Sequence, residues 1–275
     1  MSSTAGEKSC LLCECISSST IDEETSALEF FWGGPNPAAG QFFLIKPERF
    51  SMFLGRPISV ANFEVLSSGG GTVRFIIVKR GRGSREIMEM RPGESAYLTG
   101  PLGNSWSAIR EASGLQEKNG IAALVSGGVG VAPVAAYAQE LAKQNFTDFD
   151  FYAGFRSVSY GLEGVKARKL VVALERCHKT LEGQTPANGV RHQGRILDFF
   201  QPENYSAVFA CGPHPMLKVL AESCKKASVP CFVSMEKNMA CGTGACLGCT
   251  IKTLSGNKRC CADGPIFNSL EINFE

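Results

Sequence analysis

A chain of 275 residues is too long for a mini-domain and long enough for two ordinary domains with a smaller third. Hydrophobic residues make up 44% and charged residues 20%, the mix of a soluble globular protein. A net charge of +2 leaves no electrostatic footprint for nucleic acid, and the three His are too scattered to form a metal cluster of their own.

The first residues, Met1 to Lys8, are polar and Ser-rich. They lack an apolar core before a cleavage site, which argues against a secretory signal and for a cytoplasmic protein. Next come six short runs rich in β-formers: Leu11–Ile16, Ala27–Trp32, Gln41–Ile45, Ile58–Val65, Val73–Val78 and Ser95–Leu98. Turn clusters such as Gly33-Gly34-Pro35 separate them, a pattern that predicts a barrel or sandwich.

The character changes near Lys118. Ile121–Ser126 is continuously apolar, as in a strand buried on both faces, and a helix-like stretch runs from Val131 to Lys143. The uncharged run Asn119–Gln139 is long enough for a membrane span, but Gly127, Gly128, Gly130 and Pro133 interrupt it, so a strand, turn and helix explain it better. Asp148–Ala153, Val171–Leu174 and Ala207–Ala210 read as further strands, and Pro215–Lys226 as a helix. Strand–helix alternation predicts a doubly wound parallel sheet. From about Val229 the chain is Cys- and Gly-rich, with too little apolar sequence for a large core of its own, and is expected to need a metal. The predicted domains are 1–110, 111–228 and 229–275.

Twelve Cys with no signal sequence point to metal ligands or core residues rather than disulfides. Five lie between Cys241 and Cys261. Cys241, Cys246 and Cys249 form Cys-x4-Cys-x2-Cys, with Cys260 or Cys261 as a fourth ligand. This is the plant-type ferredoxin spacing for a [2Fe–2S] cluster, in which one coiled loop gives three thiolates and a distant return gives the fourth. The competing reading is a structural zinc site, although zinc ribbons pair two Cys-x2-Cys knuckles and one is present here.

Three further motifs are weaker taken singly. Gly127-Gly128-Val129-Gly130-Val131-Ala132-Pro133 joins a strand to a helix, which suits a pyrophosphate on a helix N-terminus or a turn made small for packing. Cys211-Gly212-Pro213 ends another strand at the carboxyl edge where ligands of such sheets collect; a buried Cys acting as a small hydrophobe is the alternative. Arg56-Pro57-Ile58-Ser59 offers a forked phosphate donor and a hydroxyl, and Arg80-Gly81-Arg82-Gly83-Ser84 offers successive backbone N–H groups.

In this order the motifs resemble the ferredoxin–NADP reductase superfamily. With the appended cysteine pattern and Cys261-Ala262-Asp263-Gly264-Pro265, the chain from about residue 8 to 275 is similar to the electron-transfer subunits of NAD-linked dihydroorotate dehydrogenases of pyrimidine biosynthesis. The resemblance implies a six-stranded antiparallel flavin-binding barrel, a nucleotide-binding α/β domain and a small iron–sulfur domain. It implies FAD at Arg56, Pro57, Ile58, Ser59, Ile76, Ile77, Val78, Gly83 and Ser84. It implies NAD(H) at Gly127, Gly128, Gly130, Pro133, Cys211 and Gly212, and the cluster on Cys241, Cys246, Cys249 and Cys261. The implied partner is an FMN-containing catalytic subunit in a heterotetramer, with neither nucleic acid nor membrane involved. No acid–base or nucleophile constellation is found on this chain, and none is needed for electron transfer.

Some features depart from the family pattern. Cys260 adjoins Cys261 and competes as a ligand; Cys10, Cys13 and Cys15 have no family role, and the last two share one strand face, as buried small residues would. Arg156 stands where an acidic residue would bind a ribose 2′-OH, so NAD rests on the resemblance. The alternatives are a flavin and iron–sulfur subunit of another complex, of the ferredoxin–NADP oxidoreductase, hydrogenase or sulfite reductase type, and a zinc-stabilised adaptor without redox activity. The bifurcating relatives tend to carry Asp in place of Cys241.

Overall fold

The computed structural model describes residues 7–49, 53–67, 69–115, 120–176 and 189–274. The polar start as far as Gly6 and the change of character at Lys118 lie outside them. Six antiparallel strands close a barrel: β1 (Ser9–Asp22), β2 (Thr25–Trp32), β3 (Phe42–Pro47), β4 (Arg56–Val65), β5 (Gly71–Val78) and β6 (Ser95–Leu102), in the order β1-β2-β5-β4-β3-β6. Alternation drives the closure. Leu28, Phe30 and Trp32 of β2 and Val73, Phe75 and Ile77 of β5 point inward, where Phe43 packs edge-on against Trp32 and Phe75. Cys13 and Cys15 belong to this interior, as their shared strand face requires. Helix α1 (Arg82–Met88) follows β5 and puts Ile87 into the barrel core; α2 (Trp106–Ala112) begins at Ser105, whose hydroxyl caps the Ala108 N–H.

The second layer is a seven-stranded sheet. It comprises β7 (Ala122–Gly127), β8 (Phe149–Phe155), β9 (Lys169–Leu174), β10 (Gly189–Gln193), β11 (Ala207–Cys211), β12 (Cys231–Ser234) and a short β15 (Ile266–Asn268). Its order is β10-β9-β8-β7-β11-β12-β15, with only β15 antiparallel. Helices α3 (Val131–Lys143) and α4 (His214–Lys226) cover opposite faces. Leu124 packs on the α3 side while Ala123 and Val125 pack on the α4 side, so β7 is apolar throughout because both faces are buried. In α4, Leu217, Leu220, Ala221 and Cys224 fall on one face, and Pro215 stands in the first turn, where its missing N–H costs nothing. Among the described residues, the connection from β8 to β9 carries no helix, so strands and helices do not alternate regularly.

The chain leaves β7 towards β8, β9 and β10, then returns to the other side of β7 as β11. That reversal opens a crevice at the carboxyl ends of β7 and β11. The suspected membrane run resolves into β7, a turn and the 13-residue α3, and no described helix is long and apolar enough to cross a membrane.

The Cys-rich segment is less independent than its composition suggests. Both β12 and β15 join the large sheet, and between them stands the hairpin β13 (Thr250–Thr253) and β14 (Gly256–Arg259). Cys249, Ile251, Cys260, Cys261 and Phe267 share one core with the sheet and with Phe42, Leu44 and Leu102 of the barrel. Packing therefore holds this segment alongside any metal it binds. The Asn104 side chain fixes the junction, donating to the Ile266 carbonyl at 2.9 Å and accepting from the Ile266 N–H at 3.0 Å. Trp106 Nε1 donates to the Pro133 carbonyl at 3.1 Å, and Glu140 of α3 accepts from the Ala39 N–H at 3.1 Å, which ties barrel to sheet.

Candidate cofactor cleft and cysteine site

A cleft of about 580 Å³ lies where barrel, sheet and Cys-rich segment meet. Arg56, Pro57, Ile58 and Ser59 of β4 line it, with Ile76 and Val78 of β5, Gly83 and Ser84 of α1, Gly130, Pro133 and Cys211. Ile77 is not on this wall. Neighbouring residues of a strand face opposite ways, so Ile76 and Val78 reach the cleft while Ile77 is buried inside the barrel.

The cleft is cationic. Arg56, Arg80, Arg82 and Lys237 line it against Glu236, although Arg82 is also paired with Glu86 at 2.7 Å. Such a wall suits a ligand carrying phosphates. Desolvation raises the Glu236 carboxyl above its usual range even though the residue stands in the open cleft, and the charge of Arg80 opposes this. Burial pushes the Cys211 thiol up to about 12, helped by the charge of Glu236, so this thiol stays protonated and uncharged at physiological pH. Sequence motifs did not single out Glu236 or Lys237; what marks them is their place just beyond β12, on the way into the first cysteine. The Ser84 hydroxyl accepts from the Arg80 and Gly81 N–H groups at 2.7 and 3.1 Å, so it shapes its turn from within.

The glycines divide by role. A Cβ on Gly127 would meet Met216 Sδ at 2.6 Å, one on Gly212 the Met216 methyl at 2.5 Å, and one on Gly130 the backbone of Cys211 and Gly212. These three allow the turns after β7 and β11 to touch. Gly128, at φ +54°, has nothing within 4 Å of its Cβ position and leaves open space above the turn.

Two residues beyond Met239 the cysteine loop begins, so Cys241 starts within about 7 Å of the cleft wall along the chain. Two of the four thiols touch, and backbone amides converge on a third. Cys249 Sγ lies 3.3 Å from Cys261 Sγ, and the Cys246 N–H donates to Cys241 Sγ at 3.4 Å, as does the Thr243 N–H. Gly242, Gly244 and Leu247 adopt positive φ, which coils the loop and turns its amides towards sulfur. Among the described residues, no three His, Cys, Asp or Glu side chains gather around one point as a single ion would need. One loop that brings three thiols and a return that brings the fourth fit the spacing of a two-iron cluster better than the paired knuckles of a zinc ribbon. Cys260 is fully buried in the shared core, and it is Cys261 that meets Cys249.

The N–H groups of Cys246 and Thr243 lower the Cys241 pKa to about 6, whereas burial first, and then Cys249, push Cys261 up to about 12. Cys241 is thus ionised in advance, and Cys261 needs the charge of a metal to lose its proton. In metal-free protein, Cys241 is expected to alkylate ahead of Cys260 and Cys261 at neutral pH. Its rate should fall as pH drops below about 6, because the reactive thiolate is then lost. Peptide mapping after iodoacetamide treatment on either side of that pH checks this; uniform labelling of the cysteines would contradict it.

The family profile described as the iron–sulfur cluster binding domain of dihydroorotate dehydrogenase B matches residues 236–273. Among solved structures, the chain is similar to that of the NADH-dependent reduced ferredoxin–NADP oxidoreductase, with a TM-score of 0.75, 22% identity and coverage of 98% of this chain and 92% of that one. It is also similar to the ferredoxin reductase in carbazole 1,9a-dioxygenase, with a TM-score of 0.62, 22% identity and coverage of 82% and 68%. These likenesses establish the fold. Relatives named dihydroorotate dehydrogenase B (NAD(+)), electron transfer subunit, include that of Caldanaerobacter subterraneus, 33% identical over 94% of this chain and 96% of the relative. The one from Clostridium perfringens is 40% identical over 86% of this chain and 87% of its own length. Similarity of that depth and extent, on a fold whose cysteine loop and cleft match the motifs, means that the chain belongs to the family of dihydroorotate dehydrogenase B electron transfer subunits.

Proposed function

We propose that this chain carries electrons from the FMN of a separate dihydroorotate dehydrogenase catalytic subunit, by way of a [2Fe–2S] cluster and FAD, to NAD⁺ in pyrimidine biosynthesis. Dihydroorotate is oxidised on the partner, in a heterotetramer, and NAD⁺ is reduced in the cleft of this chain. The complex works in the cytoplasm, where unpaired thiols persist. The observation that carries this reading is the convergence of three segments on one cleft: the Arg56–Ser59 strand, the Gly130 and Cys211 turns, and the Glu236–Met239 lead into the cysteine loop.

Bound FAD supplies the exchange between a carrier of two electrons and a cluster of one. The chain's own residues position it. Arg56 gives a forked donor to phosphate, Ser59 a hydroxyl to the ring edge, Ile76 and Val78 an apolar wall, and the Gly83–Ser84 turn backbone N–H groups. Ile77 serves from behind by anchoring the strand. The turn of Gly127, Gly128 and Gly130, with Pro133 opening α3, receives the nicotinamide nucleotide. Cys211 and Gly212 keep the opposite wall close and uncharged. Cys241, Cys246, Cys249 and Cys261 would hold the cluster.

The test is to isolate the protein from its native extract without oxygen and assay dihydroorotate-driven NAD⁺ reduction in the eluate. Activity would fix both partner and reaction. Intact flavin and iron–sulfur bands without activity would move the chain to another oxidoreductase complex, and a colourless protein would favour the zinc adaptor.

A further inference from the structure

Arg259 ends the β14 strand and grips Asp263 through two parallel bonds, Nε to Oδ2 at 2.8 Å and Nη2 to Oδ1 at 2.7 Å. The Arg259 backbone N–H also donates to Asp263 Oδ2 at 2.7 Å. The remaining guanidinium nitrogen, Nη1, turns the other way and donates to the Gly244 carbonyl at 3.4 Å. Gly244 has φ +87°, and a Cβ there would stand 2.9 Å from that nitrogen. The loop backbone is thus pressed onto the guanidinium with no side chain between them.

Gly244 lies inside the loop that bears Cys241, Cys246 and Cys249, and Asp263 lies two residues beyond Cys261. One side chain therefore joins the segment with three thiols to the segment with the fourth. The guanidinium is the cation of a pair whose anion sits on the fourth-ligand side, so the pair as a whole is close to neutral.

Resting on the reading that the four cysteines hold a [2Fe–2S] cluster, we propose that Arg259 is its positioning residue, holding the three-thiol loop and the fourth-thiol segment in register and setting the cluster's reduction potential through the balance of its charge with Asp263. One-electron reduction adds negative charge at the cysteines, so a nearby cation favours the reduced form and a nearby anion disfavours it. The two halves of the pair then push the potential in opposite directions.

The experiment is a dithionite titration of the anaerobically isolated complex, followed by electron paramagnetic resonance, for the native protein and for Arg259→Gln, Arg259→Lys and Asp263→Asn. Arg259→Gln leaves Asp263 unbalanced and should lower the midpoint; Asp263→Asn leaves Arg259 unbalanced and should raise it. Each shift should be about tenfold in the electron-exchange equilibrium, or 59 mV for one electron. Arg259→Lys keeps the charge without the fork and should return the midpoint towards the native value. Damage to the fold alone would not move the two variants oppositely. Shifts of the same sign, or none, would overturn the proposal. If Arg259→Gln loses its iron, Asp263→Asn decides alone: a rise supports the proposal, and a fall or no change overturns it. A native protein without a cluster signal would instead defeat the underlying functional reading.

Discussion

Replacing Gly130 with Ala is expected to slow hydride transfer from NADH by roughly a hundredfold, the scale of a misplacement near 1 Å. It should also destabilise the protein by about 2 kcal/mol, as overpacking does. The added Cβ would stand 2.5 Å from the Cys211 carbonyl carbon and 2.8 Å from the Gly212 nitrogen. Both obstacles are backbone, so no side-chain rotation relieves them. Nor can the strands slide apart freely, because β7 and β11 are paired in register from Ala122 and Ala207 to Ser126 and Cys211. The two turns must separate, and that opens the crevice where the nucleotide would lie. Gly128→Ala is the control for stability alone, because the open space above it is where the nucleotide would lie. Its positive φ costs about 1 kcal/mol, but its Cβ meets nothing within 4 Å. Stopped-flow reduction of Gly130→Ala by NADH, with thermal melts of both variants, checks this; equal melting of the two would mean that the close approach of the turns is irrelevant.

That contact was not readable from the chain, although both glycines stood in motifs. Gly130 and Cys211 are far apart in sequence, and their contact depends on β11 returning beside β7, which motif order does not encode. Elements with a strong period were legible: the six barrel strands alternate inward and outward, and α3 spans Val131–Lys143 as its pattern predicts. Elements without one were not. Helix α1 is seven residues long and contains Gly83 and Ser84, so it reads as a loop, and β10 is a polar edge strand of Gly, Arg, His and Gln around one Val. Strands β12 and β15 have four and three residues, too few to show an alternation, which is why their place in the large sheet was hidden inside a Cys-rich tail. In the site, Ile76-Ile77-Val78 read as a block, whereas the pleat sends its middle residue into the barrel. Glu236 has no motif, and its meaning comes only from standing beyond the carboxyl end of β12 beside Arg80 and Cys211.

Replacing Cys246 with Ser is expected to bleach the iron–sulfur bands and cut dihydroorotate-driven NAD⁺ reduction by more than a hundredfold, while NADH-to-dye transfer through the flavin continues. Disturbing even a supporting partner of a metal ligand costs roughly 10–100-fold, and removing a ligand costs more. A serine oxygen is also a harder donor than iron–sulfur chemistry prefers. Cys246 is the informative choice because it is exposed, whereas Cys249 and Cys261 are buried in the shared core. Serine at 249 or 261 would bury a polar hydroxyl and confuse lost ligation with lost packing. At 246 the change leaves the core intact, and the backbone N–H that donates to Cys241 Sγ at 3.4 Å is retained. The flavin route should survive because Arg56, Ser59, Ile76 and Val78 stand on barrel strands, and the cysteine segment lends the cleft residues no later than Met239. Parallel assays of the two activities, with flavin and iron content measured on the same sample, separate the possibilities. If flavin and dye reduction disappear with the cluster, the cysteine loop is part of what holds the cleft together, and the shared core of Phe42, Leu44 and Leu102 with Cys249 and Cys261 is the route by which that damage would spread.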